Sequence, residues 1–364
     1  MPPPDVTVEL DRQLAICNAC RYCEGFCAVF GAAQLRQMID TPDAAYLSSL
    51  CHDCRMCYDA CMFTPPHDYA LNIPEVMAQA RVETYARYAR PAALAGAARS
   101  PLAGTLAVLV AAIAVVALGI VMRDGPAAFA AAHRGPGAFY AVVPYPAMVG
   151  AALALAGYGI VCIALGALRY ARDIEAGTPF VTGASLARAL HEALALTYLR
   201  GGGAGCYDES RGSSRRRAFH ALVFWGFLAD LAATTSAFVL QDFLHRQPPY
   251  PLLSVPVVLG TAGGLGLAIG AAGLIGVKRR SDPRPADGRM VALDYAFLFV
   301  LEILALTGLA LLALRGTAAM PALLAVHLGS VAGAFALAPY GKFAHFVYRS
   351  IALVKNADEQ RRAA

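Results

Sequence analysis

Six runs of roughly twenty apolar residues decide what this 364-residue chain can fold into. A bilayer core is about 30 Å thick, and a helix rising about 1.5 Å per residue needs about that many residues to cross it. Lipid offers no partners to backbone N–H and C=O groups, so each run must satisfy its own as a helix. The runs lie near 101–122, 147–168, 218–243, 252–277, 293–314 and 320–347, separated by Gly/Pro turns or basic segments. The composition fits: 58% of residues are hydrophobic, only 15% are charged, and mean hydropathy is +0.52, which excludes an ordinary soluble domain. The fourth run is dense in glycine, which lets helix backbones approach closely and predicts a packing role.

The first hundred residues differ, carrying eight of the ten cysteines and few long apolar runs. Two domains are expected, 1–100 as a polar head and 101–364 as a membrane bundle. The N-terminus has neither a basic start nor a short apolar core, so the head is expected to stay in the cytoplasm, where thiols remain reduced and favour metal over disulfides. Orientation follows from Lys and Arg. Residues 169–217 carry eight Arg, while 278–292 and 342–364 carry five Lys or Arg each. Those loops, the head and the C-terminus are therefore expected on the cytoplasmic face of an inner membrane. The net charge of +5 is spread over these flanks and predicts no nucleic-acid partner.

Two cysteine blocks share one spacing: Cys17, Cys20, Cys23 and Cys27, then Cys51, Cys54, Cys57 and Cys61. In such runs three thiolates hold one cubane while the fourth ligates the other cluster. The spacing predicts two [4Fe–4S] clusters, one on Cys17, Cys20, Cys23 and Cys61, the other on Cys51, Cys54, Cys57 and Cys27. Zinc sites more often arrive as separated C-x2-C pairs. The segment between the blocks is long enough for a helix, so the expected fold is all-α: a helical ferredoxin-like head followed by a six-helix transmembrane bundle. His52 and His67, near the second block, are read as solvent-facing or supporting groups.

Histidines in lipid are costly and suspect. His220 and His245 fall on the third run, His327 and His345 on the sixth. Over an unbroken helix, the eighteen residues from His327 to His345 make five whole turns and place both imidazoles on one face. Bis-histidine haem b needs one imidazole from each of two facing helices. The expectation is one haem on His220 and His345, and a second on His245 and His327. Asp230 and Glu302 are read as polar contacts between helices or as proton carriers. In the long basic loop Leu186, Leu190 and Leu194 recur at helical spacing, predicting an amphipathic helix on the membrane or the head, with His191 interfacial. Cys162 is read as a small buried residue, and Cys206 has no assigned role.

With its two cysteine blocks, its LRGGGAGCYDE loop, RRRAFHALVFWGFLADLAATTSAF and HLGSVAGAFALAPYGKFAHFVYR, the chain resembles the tricarballylate-utilisation protein B (CitB) family nearly end to end. The resemblance implies a membrane iron–sulfur and haem protein that reoxidises the flavin of a partner, an FAD-dependent tricarballylate dehydrogenase, and passes electrons to quinone. No dinucleotide fingerprint is present, so the flavin and the organic acid belong to that partner. Rival readings are the membrane subunit of a heterodisulfide-reductase-like or nitrate-reductase-like complex, and an iron–sulfur redox sensor.

Overall fold

The computed structural model describes residues 5–92, 100–175, 179–200, 206–208 and 211–363. The architecture is all-helical apart from a two-stranded hairpin, β1 (Cys206–Asp208) against β2 (Arg211–Ser213), antiparallel, in the long basic loop. The head comprises α1 (Val6–Cys20), α2 (Ala28–Ala33), α3 (Thr41–Leu50), α4 (Met56–Asp59) and α5 (Ile73–Tyr88). Local chemistry starts them. Asp5, Asp40 and Asn72 accept the first free N–H groups of α1, α3 and α5, and prolines occupy the first turns of α3 and α5.

The bundle follows: α6 (Pro101–Asp124), a short α7 (Ala138–Val142), α8 (Tyr145–Glu175), the loop helix α9 (Gly183–Leu194), α10 (Arg215–Asp242), α11 (Val255–Arg280), α12 (Gly288–Leu314), α13 (Met320–Leu337) and α14 (Phe343–Ala363). Among the described residues six helices are long and apolar enough to cross a membrane, the last counted as Met320–Tyr340. The chain is a multi-pass membrane protein.

Two expected helices stop short. The run at 320–347 is not one helix: Ala338–Tyr340 tightens to a 3₁₀ turn, Gly341 is extended, and α14 begins at Phe343. Pro339 removes a backbone N–H and forces the break. The five-turn argument from His327 to His345 therefore fails. Likewise α10 ends at Asp242, and His245 lies beyond it with φ at 52° in an exposed turn ahead of Pro248 and Pro249.

The glycine-rich α11 packs along most of α10, as its composition predicts. A Cβ at Gly270 would sit 2.8 Å from the Phe219 carbonyl, so only glycine permits this approach. The Asp230 carboxylate of α10 lies in the space that the absent side chain of Gly263 leaves on α11. Elsewhere α13 packs on α6, α12 and α8.

Beyond the break α14 leaves the bundle and packs on α2, α3, α8 and α9. Head and bundle consequently share one core, in which Leu10, Leu14, Tyr46 and Leu47 meet Tyr170, Tyr348, Ala352 and Leu353. Glu359 completes the seam by pairing Arg36 and Lys355, each at 2.8 Å, and accepting from the Tyr46 hydroxyl at 3.0 Å. Tyr88, Tyr170 and Tyr348 pack edge-on and tilted in the same core, with ring centroids 5.3 and 5.1 Å apart along that series. In α9, Ala189 is buried while Leu186, Leu190 and Leu194 stay exposed on the opposite face, leaving an apolar stripe outward.

Gly166 permits that seam, because a Cβ there would lie 2.5 Å from the Tyr88 carbonyl. Gly166→Val should destabilise the protein by about 1–3 kcal/mol through overpacking. Gly157→Val on the same helix, where nothing lies within 4 Å, should leave the thermal midpoint unchanged. Thermal unfolding of both in one detergent checks the difference.

Candidate electron-transfer site

Residues in the left-handed conformation make the cysteines converge. Arg21 (φ 58°) ends α1 just after Cys17 and Cys20 and turns the chain toward Cys23. Asp53 and Arg55 (φ 54° and 65°) do the same between Cys51, Cys54 and Cys57. Such backbone costs on the order of 1–3 kcal/mol per residue for non-glycines and persists where surrounding structure enforces it. Asp53 and Arg55 are held from outside: Arg55 donates to the Asp282 carbonyl, and Arg216 donates to the Asp53 carbonyl.

The two blocks interleave. Cys27, Cys51, Cys54 and Cys57 line a single cavity with Phe26, Phe30, Met56 and Ile73. The Cys17 thiol is pushed up to about 12 by burial and then by Cys23, Cys61 and Cys20, so Cys61 of the second block stands among thiols of the first. Burial and then Cys61 and Cys20 push Cys23 to about 11. Cys27 is raised by burial and then by Cys54 and Cys51. Among the described residues no His, Cys, Asp or Glu group closes on a single-ion site. Cys27, Cys51, Cys54 and Cys57 nonetheless face one common cavity. Crowded, desolvated thiols resist ionisation unless a cation takes their charge, and this donor chemistry fits iron–sulfur clusters. Backbone N–H groups already address two sulfurs: Asp53 donates to Cys51 Sγ at 3.4 Å and Phe63 to Cys61 Sγ at 3.3 Å.

Beside the second block three imidazoles gather. His52 is pushed well below the usual imidazole range by burial, then by Arg349, His220 and His345. Arg349 of α14 bonds the His52 ring and donates to the carbonyls of Ser49 and Leu50 at 3.2 and 2.9 Å. His345 Nδ1 lies 3.4 Å from the Tyr85 hydroxyl, and His220 Nδ1 is buried with no partner. The structure thus gathers His220 and His345 next to the cysteines. It does not do so for the other pair: His327 Nδ1 bonds the Thr307 hydroxyl at 2.9 Å, and His245 is exposed beyond the end of α10. His191 is exposed on α9, Cys162 is buried in α8, and the Cys206 side chain lies outside the described residues.

Sequence reading named His52 only as a solvent-facing or supporting group, and it missed Arg81 and Arg349. Arg81 donates to the carbonyls of Ser48 at 2.9 Å and Cys51 at 2.5 Å. The available signal was a histidine adjoining the first cysteine of a block and a basic residue one helical turn after His345.

The family model described as "Citrate utilization protein B" matches residues 96–364, and the one described as "Citrate utilization protein B Fer4-like domain" matches residues 10–87. The chain belongs to the citrate utilization protein B family. It is 41% identical to the Escherichia coli protein named "Citrate utilization protein B", over 97% of this chain and 93% of that one. No solved structure matches it. Membership with a Fer4-like head gives this membrane protein an iron–sulfur electron-transfer role in citrate or tricarballylate utilisation.

Arg349 caps buried carbonyls that nothing else in the seam reaches, so Arg349→Met should cost about 1–3 kcal/mol for the groups left unpaired. Chemical denaturation followed by tyrosine fluorescence should show the lowered midpoint, with Arg349→Lys intermediate.

Proposed function

We propose that the chain reoxidises the reduced flavin of a partner dehydrogenase, acting on tricarballylate or a related acid, and carries the electrons through two [4Fe–4S] clusters and haem b to quinone. The carrying observation is the interleaving of the blocks. Cys27 lies with Cys51, Cys54 and Cys57, and Cys61 with Cys17, Cys20 and Cys23, as two cubanes held by alternating fourth ligands require. His220 and His345 are the residues to hold the haem, because both lie beside His52 and the second block. Together these groups supply one-electron steps between a two-electron flavin and a two-electron quinone.

The chain's own residues serve that passage in stated ways. Arg81 and Arg349 place positive charge beside Cys51, and the Asp53 and Phe63 amides donate to ligand sulfurs; both favour the reduced, more anionic state. The cysteines of the second block are half-buried, while Cys20 is exposed at a surface a flavoprotein can reach. The head bonds both basic loops, through Arg216 to Asp53 and Arg55 to the Asp282 carbonyl, which sets all three on one side of the bundle. The Lys/Arg asymmetry makes that side cytoplasmic at the inner membrane. A reporter fused after Ala364 should therefore score cytoplasmic.

Anaerobically purified protein should hold about eight non-haem irons, four per cubane. Cys27→Ser should perturb the EPR signal of the cluster held by the second block and spare that of its own block. Iron near half that content, or loss confined to the first block's signal, would exclude the interleaved pair. His345→Ala should lose the haem Soret band while its clusters still accept electrons from dithionite; an unchanged Soret band would remove His345 as a ligand.

A further inference from the structure

A second cavity opens where α6, α12 and the break between α13 and α14 meet, with about 610 Å³ of empty space including its mouth. Thr105 and Val108 of α6, Phe297 and Val300 of α12, and Tyr340 and Lys342 of the break line it. All three elements contribute the ends nearest the head, because α6 starts there, α12 starts there and α13 finishes there. The walls are apolar, and the polar groups gather at the headward end. Leu102 and Leu106, flanking it on α6, are exposed on what would be the lipid side.

The headward end is built. Lys342 pairs with Asp294, itself buried to 6% exposure, and Lys278 pairs with the same carboxylate. Two ammonium groups on one carboxylate leave the triad a net positive donor. Phe343 packs edge-on against Phe297 with ring centroids 4.9 Å apart, giving an aromatic wall. His345 follows Lys342 by one helical turn, so the cavity adjoins the imidazole cluster beside the second cysteine block. An acyl chain would match the walls and leave the donors at the closed end unused. A planar ring bearing two carbonyl oxygens and an apolar tail matches both.

We propose that this cavity is the quinone site: the ring lies against Phe297 and Phe343, Lys342 and Thr105 donate to its carbonyl oxygens, and the tail leaves toward lipid past α6. This rests on the electron-transfer reading above and assigns its terminal step. The quinone would take two electrons, passed on from the clusters by way of the haem of the proposed route, and two protons from solvent on the head side. One O–H bond forms at each oxygen, the ring becomes aromatic, and no bond to the protein is made or broken.

The test uses the full chain in phosphatidylcholine nanodiscs, reduced with dithionite, freed of excess reductant and mixed with a decyl-tailed benzoquinone. Reoxidation is followed by cluster absorbance. Ferricyanide, which takes electrons at the head surface, is the parallel oxidant and reports whether the centres are loaded. Wild type should be reoxidised saturably by the quinone. Val108→Phe, which fills the cavity, and Lys342→Met, which removes a donor, should each raise the half-saturating concentration at least about tenfold, the scale on which pocket shape discriminates. Val110→Phe, on the exposed face of the same helix, should behave as wild type. Unchanged half-saturation in Val108→Phe, with ferricyanide showing loaded centres, would overturn the site. So would a copurifying phospholipid that the quinone fails to displace from wild type but that Val108→Phe excludes, since the cavity would then belong to lipid. Wild-type protein that gives electrons to neither oxidant would overturn the electron-transfer reading and this assignment with it.

Discussion

Arg349 joins the two halves of the molecule where electrons have to cross between them. It is carried by α14, the continuation of the last membrane helix, yet its guanidinium serves the final turn of α3 in the head, whose terminal carbonyls have no partners within their own helix. The position of Cys51, which caps α3, thereby depends on a residue about 300 positions later. Burial and the nearby Arg81 bring the Arg349 guanidinium down to about 10, and Cys51 and Cys27 act in the opposite direction. Two cations side by side are tolerable only against anionic neighbours, and the thiolates of the proposed cluster would be such neighbours. The same arrangement that stabilises the head thus also biases the redox centre it contains.

The bonds around the second block come from every basic segment of the chain. Arg216 stands at the start of α10, Asp282 and Arg284 lie between α11 and α12, and Arg349 is on α14; all touch the head at Asp53, Arg55, Asn72 or His52. Charge counting places these segments on one side of the membrane because unpaired Lys and Arg resist crossing it. Their docking on one head requires the same common side for an independent reason.

The membrane helices were legible because they rest on a strong local constraint, the bilayer's thickness, and the Fer4-like head because its cysteines recur at one short spacing. The small-residue packing of α11 was legible for a similar reason. What was not legible depended on how helices end. A regular period from His327 to His345 holds only over an unbroken helix, which Pro339 interrupts, and a projection to His245 ran three residues beyond the end of α10. The gathering of His52, His220 and His345 brings together residues from three distant segments, and no periodicity within one segment contains it. Arg81 and Arg349 were passed over because a lone arginine on a helix is ordinarily solvated, and only the folded seam shows what each one caps.

The break after α13 is also what turns the chain back to the head. Had the helix continued, His345 and Arg349 would have followed the bundle axis and Cys51 would have lost its cap. Pro339 and Gly341 permit the change of direction, but permissive residues do not choose one. Lys342 does so by pairing with Asp294 on α12, which ties the first residue after the turn to a fixed point in the bundle. Burying that carboxylate is costly, and two lysines are needed because one would leave a nearly neutral pair in place of a donor facing the cavity. The ion triad therefore does two things at once: it aims α14 at the head, and it puts positive charge at the headward end of the cavity between α6, α12 and the break.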